Sequence, residues 1–110
     1  MKKNNIHAKN YGELLALVHG KDLFKYELSG DYQGKYLVIL EDESKYYYYI
    51  GSYGSCSGCD FLQEYNNYEV PYKDALEYCQ QSPVQYITPK NILLEFKRDS
   101  SKSKFVLKTK

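Results

Sequence analysis

Two cysteines at C-x-x-C spacing, Cys56 and Cys59, stand in the run YIGSYGSCSGCDFLQ, residues 49–63. Thiols at that spacing suit a redox dithiol or half of a metal site. A helix N-terminus behind them would favour the thiolate. Asp60 opposes activation, because a carboxylate beside Cys59 raises its thiol pKa. A zinc site needs four ligands. Beyond Cys56 and Cys59 the chain offers only Cys79, His7 and His19. Cys79 falls on an apolar stripe, which suits a small buried side chain. No cofactor is therefore the expectation, with zinc on Cys56 and Cys59 as the alternative.

Glycines 51, 54 and 58 could form an anion nest leading into a helix. Their spacing matches neither the dinucleotide fingerprint nor the Walker loop. Tyrosines beside the loop could stack on a base, while Asp60 and Glu64 would repel phosphate. A purely structural role competes with all three chemistries. Small residues let the chain turn sharply, and Ser57 with Asp60 forms an S-x-x-D capping pattern.

The elements that position this corner are legible on both sides. Asn10 with Glu13 starts a helix over 11–19, with Leu14, Leu17 and Val18 on one face and Gly20 as its stop. DLFKYELSG alternates, with Phe24, Tyr26 and Leu28 on one face. KYLVIL is continuously apolar and reads as a central strand. YYYYI places Tyr46, Tyr48 and Ile50 on one face and Tyr47 and Tyr49 on the other. These form an antiparallel meander, 23–29/36–40/46–50. Helices follow at 58–66 and 71–81, the latter with Tyr72, Ala75, Leu76 and Cys79 as its stripe. A hairpin, 91–97/104–108, closes the chain, and VQYI at 84–87 is a candidate short strand. The fold class is α+β: five or six antiparallel strands with about three short helices over one face, in a single domain, 1–110.

Composition narrows the function classes. No apolar run approaches the roughly 18–20 residues of a membrane helix. An odd count of three cysteines fits a reducing compartment, and the expected location is the cytoplasm. The two ends hold nine basic residues against one acidic residue, while residues 11–96 hold 6 basic and 13 acidic residues. That acidic middle disfavours nucleic acid as partner. Tyrosine stands out at 14 of 110 residues. Such side chains bury a large ring, keep a polar tip, and concentrate binding energy at interfaces.

The segment YIGSYGSCSGCDFLQ with its preceding aromatic strand, residues 36–65, resembles a motif in small proteins of unknown function encoded by bacteriophages and related mobile elements. The resemblance implies an accessory or anti-defence factor in the host cytoplasm that occludes a host protein. The expected function is non-enzymatic binding through tyrosines. The binding residues are Tyr47, Tyr49, Tyr53, Gly54, Ser55, Gly58 and Tyr65, with neighbours such as Tyr32 and Tyr68. The alternatives are a nucleotide, other small-ligand or zinc module centred on Gly51–Cys59, and a C-x-x-C redox protein.

Overall fold

Asn10 closes the first turn of helix α1 (Tyr11–His19). Its side chain accepts the Glu13 N–H at 2.9 Å, and Glu13 reaches back to the Lys9 N–H at 2.9 Å. At the far end Gly20 adopts φ 63° and returns its N–H to the Ala16 carbonyl. The computed structural model describes residues 5–30, 33–54, 60–65, 68–99, 101–102 and 104–108. The buried face of α1 runs through Tyr11, Leu14 and Leu15, with Val18 packed beside them, at i, i+3, i+4 and i+7. Leu17, expected on that face, is 55% exposed. Starting the stripe at Tyr11 rotates the helix and brings Leu15 inward instead.

The meander forms as expected from β2 (Asp22–Leu28), β3 (Gly34–Glu41) and β4 (Lys45–Tyr53), and β6 (Val84–Pro89) adds to its far edge. The order is β2–β3–β4–β6, antiparallel throughout. Residues 36–40 of β3 are buried on both faces, as a central apolar run requires. One face carries Tyr36, Val38, Leu40 and Tyr49 against α1 and α2 (Tyr72–Gln81). The other carries Leu37, Ile39 and Tyr48 beneath the hairpin of β7 (Phe96–Asp99) and β8 (Lys104–Leu107), which contributes Phe105. Each fully buried leucine contributes roughly 2 kcal/mol of transfer free energy.

Several details differ from the sequence reading. The strands fall into three sheets, because the hairpin crosses the second sheet face rather than extending the sheet. That face is apolar and needs a cover, which Phe96 and Phe105 supply. The first hairpin strand begins at Phe96, not residue 91; the Leu94 N–H is instead held by the Tyr48 hydroxyl at 2.8 Å. Two further strands, β1 (Asn5–His7) and β5 (Glu69–Pro71), pair with each other and bury Ile6 and Val70. At three residues each they are too short to show a period. A bulge between Leu23 and Lys25 breaks the alternation of β2. Tyr26 and Leu28 pack toward the helices, whereas Phe24 turns to the hairpin side against Tyr46. The helix expected over 58–66 is, among the described residues, a 3₁₀ turn at Phe61–Glu64. On α2 the buried stripe uses Ala75 and Cys79 with Tyr78 beside them, while Tyr72 is exposed. No helix is long and apolar enough to cross a membrane among the described residues.

Candidate functional site

A cavity of about 560 Å³ opens where the start of α1, strand β2, the end of β4 and the 3₁₀ turn meet. Its wall is aromatic: Tyr11, Tyr26, Tyr53, Tyr65 and Tyr68 all line it. Its polar centre is Asp60, only 9% exposed. Asp60 caps the 3₁₀ turn, accepting the Leu62 N–H at 3.2 Å, and it also accepts the Gly54 N–H at 3.2 Å. The Tyr11 phenol donates to the same carboxylate in a short bond. The Gln63 amide then donates to the Gly54 carbonyl at 2.7 Å, so the end of β4 is clamped to the turn through both backbone groups.

The rings come from four parts of the chain. Tyr11, at the first position of α1, stacks on Tyr36 with centroids 4.3 Å apart and planes 9° apart. That stack ties the cavity wall to the main core. Tyr26 projects from β2, with the Tyr11 backbone near its hydroxyl. Tyr65 donates to Asp74 of α2 at 2.9 Å. Tyr68, at the mouth, is 51% exposed and has φ 60°, the one positive φ outside glycine among the described residues. Its carbonyl accepts the Ala8 N–H at 3.0 Å, and its ring meets His7 edge-on. A non-glycine residue held there is strained by about 1 kcal/mol or more, a cost often met at functional sites.

The electrostatics follow from burial. Desolvation, with the Asp60 hydrogen bond second, pushes the Tyr11 phenol far above its ordinary range. Burial lifts Tyr26 to about 12. Burial, then the bond to Asp74, lifts Tyr65 to about 12. All three rings are therefore neutral at physiological pH and present electron-rich faces. The ion pairs among the described residues join Lys25 to Glu27, Lys90 to Glu41 and Lys108 to Glu95, and His7 is hydrogen-bonded to Glu69. Asp60 belongs to none of them. Lys9 stands at the rim.

Of the residues singled out from sequence, Tyr53, Tyr65 and the neighbour Tyr68 line this cavity, and Gly54 lies behind it, donating its N–H to Asp60. Tyr47 and Tyr49 stand elsewhere on the sheet. Tyr47 is half-buried, donates to Asp42 at 2.6 Å and lies beneath the Lys21 ammonium. Tyr49 is buried, stacks on His19 at 5.0 Å and accepts the Gln85 amide at 3.1 Å. Tyr48 is wholly buried on the opposite face. The four-tyrosine run is thus shared between two cores, not laid out on one surface. Ser55, Cys56, Gly58 and Cys59 lie outside the described residues, as does Tyr32. Among the described residues no three His, Cys, Asp or Glu side chains gather as a metal site. Cys79 is buried, and desolvation lifts its thiol to about 12.

Tyr11 and Tyr26 are cavity residues that the sequence does not single out, and from sequence Asp60 reads as a cap, an obstacle to thiol chemistry and a charge that repels phosphate. The one local signal was an aspartate directly after the glycine–serine run. Tyr11 lies 49 residues away from it, so nothing in sequence joined the two. The chain matches no family model, no curated protein and no solved structure.

Proposed function

We propose that this protein is a non-enzymatic binding module and that the tyrosine-walled cavity around Asp60 is its recognition site. The observation that carries this is the convergence of five tyrosines from four separate parts of the chain on one buried carboxylate. Cavities of this size, aromatic with few fixed polar groups, are suited to binding small ligands. The groups inside are arranged for positioning rather than proton transfer. Asp60 accepts three internal hydrogen bonds, and burial holds the phenols neutral.

The occupant is either a free small molecule or a side chain inserted by a partner protein. The second case keeps the phage-type accessory role, with occlusion of a host protein centred on Tyr65 and Tyr68 and not on the strand-borne Tyr47 and Tyr49. Backbone amide spectra recorded against a mixed library of cationic, neutral and anionic small molecules test the assignment. Shifts are expected at Tyr11, Tyr26, Tyr53, Leu62 and Gln63 for at least one class, and they should disappear in Tyr53→Ala. Shifts confined to Tyr47 and Tyr49 would move the site to the strand, and with it the function.

A further inference from the structure

We infer that the cavity recognises an organic cation, an alkylated ammonium or a guanidinium group, with its charge facing Asp60 and its carbon surface against the tyrosine rings. This rests on the cavity being a binding site. A carboxylate buried to this degree is ordinarily matched by a cation. Among the described residues Asp60 receives neutral donors alone, the Tyr11 hydroxyl and the N–H groups of Gly54 and Leu62. These satisfy its lone pairs in part and leave its charge without a counter-ion among the described residues. The rings of Tyr26, Tyr53 and Tyr65 on the lining supply aromatic quadrupoles, whose negative faces attract a cation. Neutral rings around a buried carboxylate form the environment that favours soft, weakly hydrated cations over sodium or potassium. The strained Tyr68 backbone places a fifth ring at the mouth, where it would close over a bound group. Among the described lining residues Lys9, at the rim, is the one cation, so it opposes the ligand and predicts the sign of its own substitution.

The same chemistry could come from a free quaternary amine or from a methylated lysine or arginine on a partner, and the probes separate them. The full chain is titrated with choline, with its neutral carbon isostere dimethylbutanol, with acetate, and with short peptides carrying trimethyl-lysine, lysine or arginine. Sodium chloride at matched ionic strength is the control. Choline is expected to shift the cavity amides, and dimethylbutanol to bind at least about tenfold more weakly. Preference for the trimethyl-lysine or arginine peptide over choline assigns the cation to a protein partner; the reverse assigns it to a free metabolite.

Asp60→Asn should weaken choline by about tenfold or more. Tyr68→Gly, which suits φ 60° and keeps the backbone bond to Ala8, should weaken it several-fold without unfolding the chain. Lys9→Gln should strengthen it. Isostere or acetate binding as tight as choline overturns the cation assignment but leaves the cavity a binding site. Weaker choline binding in Lys9→Gln, or unchanged binding in folded Asp60→Asn, overturns it as well. Cavity amides unmoved by every probe would overturn both the assignment and the binding function beneath it.

Discussion

Tyr36 and Gly51 face each other across β3 and β4, and the Tyr36 ring fills the space where a side chain on Gly51 would stand. The hydroxyl end of the ring is held over the glycine, with its hydroxyl tied to Tyr78 of α2 at 2.7 Å and its face stacked on Tyr11. Gly51→Ala should therefore destabilise the chain by about 1–3 kcal/mol through overpacking. Urea unfolding measures this. Combined with Tyr36→Leu the penalty should be smaller than the sum of the two, since the leucine vacates the contested space. Strict additivity would show that the two do not interact.

Gly20 makes the opposite case. Nothing stands within 4 Å of a Cβ placed there, yet its φ is +63°. Gly20→Ala should cost about 1 kcal/mol purely from the left-handed backbone. Gly20→Asn should recover part of the loss, because asparagine tolerates that conformation. Equal stability of the two variants would remove the backbone explanation.

Tyr48 buries its ring beneath the hairpin and accepts the Leu94 N–H. Tyr48→Phe keeps the ring and strands that donor, at a cost of about 1–3 kcal/mol. Amide exchange at Leu94 should accelerate more than exchange in β3. Uniform acceleration would mean that the bond does not anchor the segment leading into β7.

Alkaline pH should unfold the protein through its tyrosines. Burial raises Tyr26 and Tyr49 to about 12, and burial with the Asp74 bond raises Tyr65 to the same value. In the unfolded chain these phenols titrate near 10. Their folded values are higher, so the stability linked to them is whole below about pH 10 and is lost as pH rises toward 12. Ultraviolet absorbance should show a late-ionising set of tyrosines coincident with loss of fold. Complete ionisation near pH 10 with the fold intact would refute the burial of these rings.

What the sequence disclosed depended on how local each cause was. The α1 cap, its Gly20 stop and the meander were readable because capping and strand period act within a few residues. Phe24 was misplaced because one extra residue in β2 inverts every face before it, and a bulge leaves no mark in hydrophobic alternation. The tyrosine run was read correctly for its two faces. Its exposure was not legible, because cover on one face comes from α1 and α2 and on the other from a hairpin about fifty residues downstream. Asp60 and Tyr11 meet only through tertiary packing. Short strands such as Asn5–His7 acquire their form from a partner strand, not from their own residues.

His19 supplies a second pH window on the acid side. Its ring is stacked on Tyr49 at the end of α1, and burial, with Lys21 second, lowers its pKa below the ordinary 6.5. The folded state thus disfavours the protonated imidazole, and the unfolded chain takes up the proton first. Stability should be unaffected by this group above about pH 6.5 and should fall as pH drops from there toward the lowered folded value. The carboxylate of Asp42, held low by Tyr47 and two backbone N–H groups, acts only at more acidic pH, so the two contributions separate. Urea midpoints measured from pH 7.5 down to about pH 5 should decline in the parent chain. In His19→Gln, which keeps a polar planar group against Tyr49 but cannot titrate, the same curve should be flatter. A proton resonance titration placing His19 at or above 6.5 would contradict the stacked, desolvated environment on which the slope depends.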